Sequence, residues 1–395
     1  MNAPRTKTIR RSFTLTELLV VIMVISILAS SLLFAMYNAV QQAKESRTKA
    51  QIAKLHELLA TRWDAYRTRP IRYLIDTVST PVPAVQQAAR TYLSKNPAAL
   101  ATVRLNLLRD LMRMELPDRK QDVSDGPVSY AVSFNGQTAY VTIARPAVAR
   151  EYFRKANATA TWSEMYQDSE CLYLIIASMR DLSSNGLDFL HEGEIGDLDG
   201  DQMPEILDAW KKPIAFIRWP AGFFVHPGKD EEWGGNGIDD DVNSTVDDFS
   251  EAGWTGSDDI PSYTNLQRIV LDATDPSRVA VEVRDPFDPL RVDSRASVPM
   301  FSTPSQSQYY FNFLMYPLVF SSGPDEALDI VRFDFDPLNP SVQVSFNFYR
   351  TGSNPHGGVI NDPYSIMPSS KRRLGEPFID SVGYKDNITN HNLGD

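Results

Sequence analysis

Between Leu18 and Ala43 lie 26 consecutive residues without a charge, closed by Lys44. As a helix this run spans roughly 39 Å, more than the about 30 Å of a bilayer's hydrocarbon core. Its most apolar part is Leu18 to Met36. The segment before it, MNAPRTKTIRRS, holds Arg5, Lys7, Arg10 and Arg11 and no acid. That asymmetry predicts a cytoplasmic N-terminus with the rest of the chain outside. One acid breaks the pattern: Glu17, at the start of the apolar run in FTLTELLVVIMVISILAS. A carboxylate at membrane depth costs about 3 kcal/mol and normally has a partner. A plain signal anchor would keep Glu17 at the headgroup level. A cleaved signal peptide could use Ala29-Ser30-Ser31, but Glu17 would then fall inside its apolar region. The only cysteine, Cys171, is far away, which excludes lipoprotein processing.

The run R-S-F-T-L-T-E-L-L-V-V-I resembles the processing and methylation motif of type IV pilins and type II secretion pseudopilins. The resemblance implies that a prepilin peptidase cuts between Ser12 and Phe13 and that the new amine of Phe13 is methylated. It also implies that Glu17 pairs with the N-terminal amine of a neighbouring subunit. Ser12 stands where that family usually has Gly. Residues 1–12 are then a basic leader.

Residues 37–69 contain neither Pro nor Gly. Ile52, Leu55, Leu58, Leu59 and Trp63 recur at three- and four-residue spacing, an amphipathic stripe. Pro70 is the expected stop. One helix over 13–69, with a transmembrane part about 18–43, is the resulting expectation. A half-embedded, half-docked helix is also what the resemblance implies; an anchor followed by a separate soluble helix fits the same stripe.

Residues 70–160 read as a helix-rich insertion, with helices at Val82–Lys95 and Ala98–Met114. A hairpin over 129–143 follows, turned at Asn135-Gly136. Trp162–Arg180 reads as a further helix, with Cys171 a small buried hydrophobe. Strand candidates are Ile214–Trp219, Gln267–Leu271, Arg278–Val283, Tyr309–Phe320 and Val342–Phe348. The head covers 161–368 and a polar, loose tail 369–395. The fold class is α+β: a long N-terminal transmembrane and amphipathic helix docked on an enlarged globular head, with an antiparallel sheet and acidic calcium-type loops.

The chain carries 50 acidic and 39 basic residues, a net charge of −11, which argues against a nucleic-acid partner. A single cysteine rules out an internal disulfide framework, and none of the five histidines lies in an H-E-x-x-H run. The acids are concentrated. Residues 192–259 hold 18 acids and four bases, a net charge of −14, and without the leader the chain would carry −15. Such repulsion calls for a neutralising ion, and a hard divalent cation suits oxygen donors.

In D-L-D-G-D-Q-M-P-E-I-L-D, Asp197, Asp199, Asp201, Glu205 and Asp208 fall at positions 1, 3, 5, 9 and 12 of an EF-hand-type calcium loop, with the Met203 carbonyl at 7. Gln202 occupies the turn position where Gly is usual, and Asp208 replaces the usual bidentate Glu. In N-G-I-D-D-D-V-N-S-T-V-D-D, Asp239, Asp241, Asn243 and Asp247 fall at positions 1, 3, 5 and 9, with Ser250 a poor donor at 12.

Two more segments resemble parts of major pseudopilin heads. D-A-W-K-K-P-I (208–214) is similar to their D-P-W-G-x-P-Y segment. V-F-S-S-G-P-D-E-A-L-D-I (319–330) is similar to a segment at a calcium site, which implies Ser322, Asp325 and Asp329 as ligand suppliers. Glu326 stands there in place of Gly.

The expected function is a membrane-anchored pseudopilin-like structural subunit of a periplasmic filament in a type II secretion or type IV pilus-like machine. Its expected partners are a prepilin peptidase, other pilin-like subunits through the N-terminal helix, the inner-membrane assembly platform and the membrane. Its expected place is the bacterial inner membrane, single-pass, with the head periplasmic or extracellular and calcium as cofactor. The alternative is a membrane-anchored calcium-binding adhesive surface protein that does not polymerise. An enzyme ranks third: the acid pairs of 192–259 admit a glycosidase-like pair, but loop spacing suits metal better, and His191 beside Glu192 reads as surface. No catalytic residue is assigned.

Overall fold

The computed structural model describes residues 15–76, 83–159, 161–179, 185–221, 223, 271–272, 275–279, 285–290, 292, 315–328, 330–332, 363, 374–375 and 386–391. The chain divides into two compact units, Met1–Arg47 and Thr48–Asp395.

Helix α1, Leu15–Ala65, runs unbroken for 51 residues and contributes to both units. In the first unit every residue from Leu15 to Val40 is exposed. This part is long and apolar enough to cross a membrane. Its serine hydroxyls are satisfied inside the helix: Ser26, Ser30 and Ser31 donate to the carbonyls of Ile22, Ser26 and Leu28 at 2.8, 2.7 and 2.9 Å. Back-bonding of this kind lets serine enter apolar surroundings without an orphaned donor.

In the second unit α1 buries Thr48 and Gln51 and, of the amphipathic stripe expected from spacing, Ile52, Leu55, Leu59 and Trp63, with Leu58 half-buried. The helix stops at Ala65 rather than at Pro70. Tyr66 and Arg67 instead bond back to Trp63 and Asp64 at 3.2 and 3.1 Å. The Tyr66 hydroxyl donates to Glu115 at 2.8 Å, and Arg69 clasps both oxygens of the same carboxylate at 2.6 and 2.8 Å. These bonds draw the chain off the helical path before the proline is reached.

Strand β1 (Tyr73–Asp76) pairs antiparallel with β3 (Gln137–Ile143), which pairs with β2 (Tyr130–Phe134), in the order β1-β3-β2. Asn135 and Gly136 join β2 to β3 with φ of 47° and 72°. Both values are positive, as a type I′ turn requires. Helices α2 (Pro83–Lys95) and α3 (Pro97–Glu115) lie within a residue of expectation, with Pro97 in the first turn of α3. Helix α3 is buried without a break from Leu105 to Glu115, its charges included. Strand β1 and helices α4 (Lys120–Ser124) and α5 (Ala147–Ala158) were not anticipated. Helix α5 buries only Ala149 and Tyr152, too sparse an apolar face to read from spacing.

Helix α6 (Gln167–Ser178) is shorter than the expected 162–180. Strands β4 (Ile195–Gly196) and β5 (Glu205–Ile206) pair antiparallel around the first acidic loop. Strand β6 (Ala215–Ile217) sits beside β9 (Leu318–Ser321) in a sheet ordered β10-β9-β6, and β7 (Leu271–Asp272) pairs with β8 (Asp275–Val279). Strand β10 (Ile388–Thr389) corrects the expectation of a loose tail from 369: it pairs with Ser321 and Phe320, and Asn390 is buried beside it. The strand expected at Val342–Phe348 lies outside the described residues.

One hydrophobic core joins these elements, through Ile52 of α1, Met112 of α3, Val141 of β3, Ile175 of α6, Phe216 of β6 and Phe320 of β9. The helix-rich segment and the head therefore share one interior. A second cluster of Val123, Tyr152, Trp162, Cys171, Leu174 and Met203 lies against the acidic loop.

Candidate metal centre

The loop from Asp197 to Pro204 is held by its own carboxylates. Asp197 accepts from the backbone N–H groups of Gly200, Asp201 and Gln202 at 2.8, 3.1 and 3.0 Å. Asp201 accepts from the Met203 N–H at 2.8 Å. Gly200 and Gln202 both take φ of 76°. Gly200 does so freely; Gln202 bears a penalty of about 1–2 kcal/mol for the left-handed conformation. Position 6 of the loop thus keeps the backbone of a glycine without being one.

A strap formed by Thr161, Trp162 and Ser163 fastens the loop from outside. Thr161 donates to the Asp201 carbonyl and the Ser163 hydroxyl to Asp199, at 2.6 and 2.5 Å. The Ser163 N–H donates to the Asp201 carboxylate. From inside, α6 presents Glu170, which is fully buried. The Trp162 indole N–H donates to its Oε2. Glu205 of β5, also fully buried, accepts the Leu198 N–H at 3.0 Å.

Among the described residues two acidic groups could hold a metal ion: Glu170, Asp199 and Glu205, and Asp197, Asp199 and Asp201. Within each, one carboxylate oxygen per residue lies within 4.8 Å of the others. At an effective dielectric constant of about 20, unit charges 4.8 Å apart repel by about 3.5 kcal/mol. Without an ion the buried group therefore resists ionisation. Burial pushes the Glu170 carboxyl up to about 9, reinforced by Asp201, Asp199 and Glu205 and opposed by the Trp162 bond. Burial likewise pushes Glu205 up to about 7, opposed by backbone N–H bonds and reinforced by Asp199 and Asp197. The donors are all oxygen, the chemistry of a hard cation.

The structure thus brings together Asp197, Asp199, Asp201 and Glu205, but not Asp208. That carboxylate accepts from the backbone N–H groups of Trp210 and Lys212 at 2.8 and 2.9 Å and from the Ser321 hydroxyl at 2.6 Å. It closes the turn of the D-A-W-K-K-P segment. Glu170 was missed. With Asp168 it sits in the first turn of α6, where acids are ordinary partners of the helix dipole, and nothing in the spacing marks it as a ligand.

Asp325 is exposed and accepts the Ala327 N–H at 2.9 Å, and Glu326 beside it takes φ of 64°. Among the described residues Asp325 joins neither acidic group. Asp329, Asp239, Asp241, Asn243, Asp247, Ser12 and Phe13 lie outside the described residues, and Glu17 lies in the first turn of α1. No family model, no curated protein and no solved structure matches this chain.

Proposed function

We propose that the chain is a pseudopilin-type structural subunit. The first part of α1 anchors it in a bacterial inner membrane, and the same helix assembles it into a periplasmic filament of a type II secretion or type IV pilus-like machine. The observation that carries this is α1 itself: exposed and apolar from Leu15 to Val40, with Glu17 in its first turn, and buried in stripes from Thr48. The leader stays cytoplasmic through Arg5, Lys7, Arg10 and Arg11, and the body lies on the periplasmic side. A further support is that the two head-like segments meet. Strand β6 pairs with β9, Ser321 bonds Asp208, and Lys212 pairs with Glu326 at 2.7 Å. Mass analysis of the N-terminal peptide from native membranes tests the reading. It should find methylated Phe13; an intact Met1 or an N-terminus at Leu32 would overturn it.

The ion proposed for the 197–205 loop is calcium. The support is an oxygen-only donor set in the order 1, 3, 5, 9 and the left-handed backbone of Gln202 at position 6. At ten times its dissociation constant calcium would stabilise the fold by about 1.4 kcal/mol. The protein should therefore melt higher in millimolar calcium than in chelator, with magnesium less effective. Identical melts in the two would remove calcium from the reading.

A further inference from the structure

Of the two acidic groups, the one made wholly of loop residues is already engaged. Both Asp197 oxygens and both Asp201 oxygens accept hydrogen bonds from backbone N–H groups. The buried group is different. Glu170 Oε1 and Glu205 Oε1 are shielded from solvent and have no hydrogen-bond partner among the described residues. Both residues are fully buried, and among the described residues neither they nor Asp199 is paired with a basic side chain. Buried carboxylate oxygens are normally bonded, and each exception needs a reason.

We infer that Glu170, Asp199 and Glu205 together hold one divalent cation beneath the loop, so that the ion clamps helix α6 to the β4–β5 connection instead of sitting in a loop-only ring. The inference rests on the calcium reading above and adds its position and a ligand from outside the loop. Oxygens on opposite sides of one calcium are about 4.8 Å apart, twice a bond of about 2.4 Å. The three carboxylates lie within that span. Two of the three come from rigid elements, Glu170 from α6 and Glu205 from β5. Only Asp199 comes from the turn itself, and Ser163 fixes it. Such support is what a cation site needs for a defined geometry. The consequence is structural: removing the ion would loosen the loop from α6 and from the Trp162 cluster packed against both.

The test uses the full chain in detergent micelles with calcium and terbium as probes. In the wild type, terbium emission excited through tryptophan should appear and be displaced by calcium, because the Trp162 indole bonds the proposed ligand Glu170. Glu170→Gln, which keeps side-chain size, should weaken calcium binding by at least about tenfold and abolish the calcium-dependent rise in melting temperature. If the wild type responds to calcium and Glu170→Gln responds at the same concentration, the ion sits in the loop ring and the inference is overturned while the calcium reading stands. If the wild type itself does not respond, both fall. Should Glu170→Gln not fold, anomalous diffraction from the wild-type chain crystallised with terbium should place the ion within about 2.6 Å of a Glu170 oxygen; an ion held by Asp197, Asp199 and Asp201 alone would overturn the clamp.

Discussion

The Gln51 side-chain amide donates to the Leu207 carbonyl at 3.0 Å, a buried bond between residues 156 apart in sequence. One turn earlier, Thr48 Oγ1 accepts the Ala209 N–H at 3.2 Å. The first buried turn of α1 therefore grips the chain as it leaves the acidic loop. Ile52, Leu55, Leu59, Trp63 and Tyr66 continue that contact into the core.

The first prediction concerns where this body can be cut. A chain beginning at Pro70 loses all five of those side chains, each worth about 1.5–3 kcal/mol on burial. The sum is comparable with the whole stability of an ordinary domain, about 5–15 kcal/mol. That chain should aggregate or lack a cooperative melt by circular dichroism, whereas one beginning at Thr48 should retain it. Equal melting temperatures for the two would show that α1 is dispensable to the fold.

A second prediction comes from buried charge. Arg218 meets Asp122 at 3.0 Å and Asp118 at 3.3 Å, and Asp122 also faces Arg119 at 3.3 Å and Arg113 at 3.9 Å. Burial, with Asp122 adding repulsion against the pull of Arg218, pushes Asp118 up to about 7. Asp122 is buried too, but Arg119, Arg218 and Arg113 together hold it well below the usual carboxylate range. The signs follow. Asp118 binds its proton more tightly in the folded state, so its contribution is present below about 4 and is lost as pH rises towards 7. Asp122 stabilises above about 4 and loses that contribution as pH falls further. Asp122→Asn should therefore cost about 3–5 kcal/mol at pH 7, since it leaves buried guanidinium groups undercompensated. Asp118→Asn should cost far less at pH 8 and flatten the decline of stability between pH 4 and 7. Equal losses for the two at pH 8 would refute this division of roles.

What the sequence disclosed depended on whether the signal was local. Pro97, the Asn135-Gly136 pair and the Ile52–Trp63 stripe each act within a few residues, and the elements they mark formed as expected. Strand β10 was hidden because its partner Phe320 is 69 residues away and it is only two residues long, with Ile388 its one apolar residue. The Asp197–Glu205 spacing located one side of the metal centre. Glu170 stayed invisible because it reaches the loop only through the docking of α6 against β5, a long-range contact that no spacing encodes.

Local consensus also misled in an instructive way. Gln202 and Glu326 both occupy positions where glycine was the expected residue, and both adopt the left-handed backbone with φ of 76° and 64°. The surrounding bonds impose the conformation: the Gln202 N–H is fixed by Asp197 at 3.0 Å and its side chain by Thr161 at 3.3 Å. Gln202→Gly should relieve about 1 kcal/mol of backbone strain, raising the melting temperature by about 2–4 °C and improving cation affinity. Glu326→Gly should gain similarly, because its ion pair with Lys212 is surface-exposed and worth little. A lower melting temperature for Gln202→Gly would mean that the Thr161 bond outweighs the strain.

The last prediction concerns Glu17, in the first turn of α1 and at the head of the exposed apolar segment. In the proposed filament its carboxylate meets the methylated amine of Phe13 on a neighbouring subunit, in surroundings where charge is poorly solvated. Losing one partner of such a pair costs about 3–5 kcal/mol, because the other charge is left buried alone. Glu17→Ala leaves the apolar run intact, so the protein should still enter the membrane and still be cut after Ser12. Its incorporation into filaments should fall by about 100-fold or more, read by quantitative immunoblotting of sheared filaments against total membrane protein. Glu17→Gln should fail in the same way, since an amide keeps the shape but not the charge. If either variant co-assembles at the wild-type level, Glu17 does not pair across subunits, and helix packing alone must hold the filament together.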